Sequence, residues 1–291
     1  MKNRRIFLAS ILMALTFSPA HALRERQVVA SIKPLHSLVA NITKGISSPR
    51  LVLRGQASPH TYTLKPSDVS ALAKAKVIFW MGPQVETFLQ KPLALLAPTA
   101  TVVAFLQPDH DSKTDDHSTD AHDHSIDPHT WLNPLDAQQM VKTIAATLIK
   151  ADPDNAAKYR DNLQQTLSRI DRLDKELAVK LRGTGPILVF HNAYSHLAER
   201  YNITIAGVLV DNPELTPGAG RIREIRQMIK SKNGVCIFSE PQFNTKIIKT
   251  ITSGTKLKAG TLDPIASDLE PGPELYFTMM QQMADSLAIC R

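Results

Sequence analysis

The residues in this 291-residue chain whose types could do chemistry are candidate metal ligands. Zinc takes about four ligands at roughly 2.0–2.2 Å, drawn from imidazole, carboxylate and thiolate. In α/β folds, ligands bind just beyond the strands. His60 stands in Ser58-Pro59-His60-Thr61-Tyr62, and His129 in Asp127-Pro128-His129-Thr130-Trp131. His191 directly follows the apolar run Ile187–Phe190, and Asp263 sits between Leu262 and Pro264. All four fall in connections between a strand and a helix, two in each half, so a metal held by them would bridge the halves. Singly each is a weak signal. A lone loop histidine is ordinarily solvated, and an Asp before Pro is ordinarily a turn residue.

A second signal is compositional. His110, His117, His122 and His124 lie among Asp109, Asp111, Asp115, Asp116, Asp120 and Asp123. Imidazoles ligate zinc and carboxylates draw cations. Such a tract binds metal loosely rather than in a fixed site, and a solvated linker is the competing reading. The only two cysteines, Cys236 and Cys290, are expected to pair as a disulfide in an oxidising compartment. That leaves imidazole and carboxylate for the metal. His196, five positions after His191, would lie about 140° around a helix from it and cannot share its ion. His36 opens a helix, where a structural role is expected. Asp127 is expected to orient a ligand imidazole through its other nitrogen. Glu240, before Pro241, either lines a cleft or serves a turn; Trp131 and Tyr194 read as core or cleft wall.

These residues need elements to position them. Residues 1–22 read as a secretory signal peptide: Lys2, Arg4 and Arg5, an apolar run from Ile6 to Phe17, then Ala20-His21-Ala22 as the cleavage site. The run is too short to span a bilayer of about 30 Å. Without the leader, 31 basic residues face 27 acidic ones, and a net charge of +4 does not argue for nucleic acid. Strand-like runs at 28–32, 51–53, 77–80 and 101–105 alternate with helical patterns, which suggests a parallel sheet. The alternation restarts at 187–190, with further strand-like runs at 203–210, 235–239 and 258–262. Between the halves, residues 153–181 carry apolar residues at spacings of three and four, the stripe of one long helix. The expected organisation is a leader at 1–22, a first lobe at 23–152 with a mobile loop at 107–126, a linking helix at 153–183 and a second lobe at 184–291. The fold class is α/β, with two lobes of parallel-type sheet joined by one long helix.

Taken together, the motifs resemble a known family. They are Ile32-Lys33-Pro34-Leu35-His36, the Ser-Pro-His loop with Leu64-Lys65-Pro66-Ser67-Asp68 after it, and Asp-Pro-His-Thr-Trp. Phe190-His191-Asn192-Ala193-Tyr194, Ser239-Glu240-Pro241-Gln242-Phe243 and Leu262-Asp263-Pro264 complete the set. From about residue 27 to 291, the chain is similar to the metal-binding receptors of ABC importers that take up zinc or manganese. The resemblance implies a rigid linking helix, metal in the interlobe cleft, and His60, His129 and His191 as ligands, with Asp263 or a water as the fourth. It also implies a periplasmic location, no enzymatic activity, and a membrane permease and its ATPase as partners of a monomer. Manganese members carry glutamate where His191 stands, so zinc is the expected metal; a manganese or iron receptor is the alternative. Some zinc members have a glutamate just before the first ligand, where this chain has Pro59. From a different class, a periplasmic zinc hydrolase would also suit three histidines and an open position, but the chain lacks the His-Glu-x-x-His helix. Low pH is expected to weaken zinc binding, because protonated imidazole cannot ligate.

Overall fold

Each apolar run of the chain pairs in parallel with its neighbours. In the first half, β1 (Val28–Ala30), β2 (Arg50–Leu51), β3 (Val77–Trp80) and β4 (Thr101–Ala104) form a sheet in the order β2-β1-β3-β4. In the second, β5 (Ile187–Val189), β6 (Ile205–Val208), β7 (Cys236–Ser239) and β8 (Lys258–Thr261) form another in the order β6-β5-β7-β8. The computed structural model describes residues 27–106, 127–210, 218–231, 235–243, 246–255 and 257–291. The expected leader and the 107–126 stretch, with His110, His117, His122 and His124, lie outside the described residues.

The two sheets share one topology, and their central pairs share one spacing. Val28 pairs with Val77 and Ile187 with Cys236, in each case 49 residues apart. An offset of 159 residues therefore carries the centre of the first sheet onto that of the second. The sequence shows no such repeat by eye, because the shared property is register rather than residue identity.

Parallel strands are covered on both faces and so read as continuous apolar runs. Val28, Ala30, Val77 and Phe79 face inward, as do Ile187, Val189, Cys236 and Phe238 in the second sheet. These inner faces share one continuous core with α1 (Lys33–Ile42), α4 (Pro134–Ala151), α5 (Ala156–Lys180), α6 (Ser195–Tyr201) and α9 (Leu275–Leu287). The outer face of the first sheet, with Val29, Ile78 and Trp80, is covered by α2 (Pro66–Lys74) and α3 (Thr87–Leu96). The outer face of the second, with Leu188 and Ile237, is covered by α7 (Ala219–Ser231) and α8 (Lys246–Thr252). The halves thus have separate outer layers but a common centre, where α9 packs on both α1 and α5.

The linking helix α5 has 25 residues, about 37 Å at 1.5 Å each. Residues 153–155, expected as its start, instead form a 3-10 turn. Tyr159, Ile170, Leu173 and Leu177 make the buried stripe. Polar contacts fasten the helix to both halves. Asn162 donates to the carbonyls of Ile42 and Lys44 at 2.8 and 3.0 Å, and Asp174 accepts two bonds from Arg200 on α6 at 3.0 and 2.5 Å. The helix α3 was not read from the sequence. It holds Pro92, which removes a helical N–H and interrupts the pattern. Cys236 on β7 and Cys290 after α9 form the expected disulfide. Among the described residues, no helix is long and apolar enough to cross a membrane.

Candidate metal centre

His191 lies two residues past β5, and Glu240 directly follows β7. Ile187 and Leu188 pair with Cys236 and Ile237, each 49 residues on. The same step beyond the paired residues takes His191 to Glu240, and their side chains meet: His191 Nδ1 lies 2.7 Å from Glu240 Oε1. Glu240 is 1% exposed. Phe190 stacks on Phe243 with ring centres 4.8 Å apart, which walls this side of the site with apolar surface.

His129 comes from the first half, just before α4. Its backbone N–H and its Nδ1 both contact Asp127 Oδ1, at 2.9 and 2.7 Å. The other oxygen, Asp127 Oδ2, accepts from the backbone of Ser195 at the start of α6, at 2.8 Å. Asp127 therefore ties the His129 segment to the second half. Trp131 adds to the tie by donating its indole N–H to the Pro264 carbonyl at 2.7 Å, while Tyr276 donates to the Trp131 carbonyl at 2.9 Å. Downstream, Asn133 caps α4 by accepting from Leu135 N at 3.0 Å.

His60 arrives from the loop between β2 and α2. Its backbone N–H donates to the Ser58 hydroxyl at 3.2 Å. Its ring has no hydrogen-bonding partner among the described residues and touches the other two imidazoles, with ring centres 5.9 Å from His129 and 6.1 Å from His191. One ligating nitrogen from each of His60, His129 and His191 lies within 4.8 Å of the others. The space between them is about 10 Å³, enough for an ion or a single water. Pro59, Phe243, Pro264 and Ile265 close it with apolar surface.

The carboxylates decide which ring nitrogens are free. With Nδ1 of His129 and of His191 each donating to a carboxylate, each Nε2 carries the lone pair. These two Nε2 atoms face one another at 3.4 Å. Two lone pairs at that distance repel unless a cation lies between them. Two nitrogens bound tetrahedrally to one zinc at 2.0–2.1 Å stand about 3.3–3.4 Å apart. Burial, reinforced by the neighbouring His129 and His191, lowers the His60 pKa to about 4. Burial also lowers that of His129, against the opposing pull of Asp127 and Glu240. Burial would raise the Asp127 carboxyl, but the bonds from His129 and Ser195 outweigh it and hold the group below its usual range. At neutral pH, His60 and His129 are uncharged and Asp127 is ionised, as a cation site requires.

One expected member, Asp263, stands apart from the others. Asp263 lies outside the three-histidine cluster. Its Oδ1 accepts from Gln242 at 2.6 Å and from Ile265 N at 3.3 Å, and its Oδ2 accepts from the backbone and hydroxyl of Ser267 at 2.6 and 2.7 Å. Both oxygens are committed to holding the loop after β8, which is the turn chemistry an Asp before Pro ordinarily serves. His36 bonds the Pro49 carbonyl at 3.1 Å and His196 the Asp127 carbonyl at 2.8 Å; neither joins the cluster. The sequence reading left Glu240 between cleft and turn. The register of β5 against β7, which only the structure supplies, sets it beside His191.

Residues 28–290 match the family model described as zinc-uptake complex component A, periplasmic. The high-affinity zinc uptake system protein ZnuA of Brucella abortus is 38% identical, over 100% of this chain and 99% of its own length. The protein of the same name from Yersinia pestis is 31% identical, over 99% of this chain and 98% of its own. A crystal structure of ZnuA superposes with a TM-score of 0.76 at 25% identity, covering 92% of this chain and 99% of that one.

Proposed function

This chain belongs to the periplasmic zinc-uptake component A family, and from that premise we propose that it is a receptor that captures Zn²⁺ and passes it to an ABC-type importer. The observation that carries the reading is the convergence of three imidazoles from both halves on a space sized for one ion. His60, His129 and His191 bind the ion through nitrogen, and a fourth position stays open to water. Three neutral nitrogen ligands favour zinc over manganese, which prefers oxygen. The site serves binding and not turnover, as befits a zinc-uptake component. The ion is cargo: a membrane permease and its ATPase take it onward.

The remaining assignments belong to the same proposal. Residues 1–22 are a cleaved leader that delivers a monomer to the periplasm. Residues 23–152 and 184–291 are the two lobes, and 153–183 is the helix between them. His110, His117, His122 and His124 gather zinc or sense its abundance. The common core and the contacts of α5 with both halves limit opening of the cleft to small movements.

A chelator-competition titration of the mature chain with zinc and with manganese, repeated on His191→Ala, tests the reading. Tight zinc binding, weak manganese binding and a zinc affinity on the order of a thousandfold lower in the variant are expected. That loss is about one ligand's share of the roughly 16 kcal/mol reached by four-ligand zinc sites. Zinc affinity unchanged by the substitution would remove His191 from the site and overturn the assignment.

A further inference from the structure

We propose that Glu240, and not Asp263, is the acidic positioning residue of the zinc site in the second lobe: it fixes the His191 ring and sets negative charge behind it. The inference rests on the three-histidine reading above and deepens it.

Three observations carry it. First, Glu240 Oε1 contacts His191 Nδ1 at 2.7 Å, the arrangement that leaves Nε2 free to face the ion. Asp127 does the same for His129. Each deep ligand therefore has a carboxylate behind it, and the pair offsets the two charges of the cation where neutral imidazoles cannot. Second, Glu240 is buried and lines the small cavity, with the Tyr194 hydroxyl beside its carboxylate. Burial, and after it the charge of Glu240, pushes the Tyr194 phenol pKa well up, so this neighbour carries no charge. A buried carboxylate is costly in the free protein, and a cation held just in front of it relieves the cost. Third, Asp263 has both oxygens filled by four hydrogen bonds to its own lobe. Using it as a ligand would break the turn that carries it.

The test compares Glu240→Gln with Asp263→Asn and His191→Ala. It reads zinc affinity by chelator competition, the electronic spectrum of the cobalt-loaded protein and the thermal midpoint of the metal-free protein. Glutamine keeps an acceptor for His191 Nδ1 but removes the charge. The expected result for Glu240→Gln is a tenfold to hundredfold loss of zinc affinity, about the range found when groups behind metal-bound histidines are replaced. Its metal-free thermal midpoint stays equal to or above the parent's, and its cobalt spectrum keeps the parent's form. Glu240→Asp, which restores charge at a shorter reach, recovers part of the affinity. Asp263→Asn lowers the thermal midpoint and leaves zinc affinity within about threefold. Wild-type zinc affinity in Glu240→Gln, or a loss beyond tenfold in Asp263→Asn, overturns the proposal. Unchanged affinity in His191→Ala would instead overturn the three-histidine reading itself, so the two failures are distinguishable.

Discussion

Each sheet ends at a buried glutamate, and the two glutamates are used differently. At the end of the first sheet, Glu86 accepts from the Ser31 hydroxyl, from Met81 N at 3.2 Å and from Gly82 N at 3.0 Å. It joins the segments leaving β1 and β3 with both of its oxygens bonded. Only glycine fits at 82: the backbone there has φ 138°, and a Cβ would stand 2.7 Å from the Leu106 carbonyl. At the end of the second sheet, Glu240 also joins the segments leaving the two central strands, but it does so by bonding a histidine side chain. By the 159-residue offset, Ile32 stands where His191 does, and Met81 where Glu240 does. One edge is therefore finished as structure. The other holds a side chain of the candidate metal centre.

The widest separation between the two comes from truncation. Glu86→Ala strands three buried donors at about 1–3 kcal/mol each, so a loss on the order of 5 kcal/mol in denaturant unfolding is expected, with zinc affinity unchanged in the folded fraction. Glu240→Gln should change the stability of the metal-free protein by less than about 1 kcal/mol, since it removes a poorly compensated buried charge. Equal losses in the two variants would erase the distinction between the edges.

The disulfide sharpens the contrast next. Cys236 opens β7, the strand that ends at Glu240, and its bridge to Cys290 closes a 54-residue span. The first sheet has no counterpart. Replacing both cysteines with serine should cost about 4 kcal/mol by the chain-entropy model, read as a lower urea midpoint. A midpoint within error of the parent would mean that packing alone holds the second lobe.

A third test uses pH. Burial outweighs the bonds from Ser31, Gly82 and Met81 and raises the Glu86 pKa from 4.5 to about 7. With a folded-state pKa above the unfolded value, its contribution is full below about pH 4.5 and is lost as pH rises through 7. Wild-type stability relative to Glu86→Gln should therefore fall by about 3 kcal/mol across that window. A constant difference would show that Glu86 stays ionised throughout.

An effect of about the same size, opposite in its pH direction, concerns His60, whose folded pKa is lowered from 6.5 to about 4. The unfolded chain takes up the proton first, so this stabilising contribution is present above pH 6.5 and is lost as pH falls through 4. His60→Gln should flatten the thermal midpoint of the metal-free protein between those limits. The shift also moves proton competition for His60 below the range of a free imidazole, so zinc capture should persist further into acid than the sequence alone suggests. A midpoint equally steep in both proteins would place the titration elsewhere.

Much of this molecule was legible in the residues. Short, largely continuous apolar runs marked most of the strands, because both faces of a parallel sheet are covered. Pro66 and Asp68 marked the start of α2, and the stripe from Tyr159 to Leu177 marked α5. The three histidines could be named from their motifs. Pro92 hid α3, and the halves read as separate lobes although their inner faces share one core.

The sequence by itself determined which elements form and which side chains could ligate, since propensity, periodicity and side-chain chemistry are local. Which carboxylate stands behind which imidazole was decided by the tertiary structure alone. Asp263 and Glu240 look alike in the chain, each just past a strand and just before a proline. Parallel pairing across 49 residues sets Glu240 against His191, while a local turn consumes Asp263. Register between distant strands depends on packing both faces of a sheet at once, and no local pattern of residues encodes it.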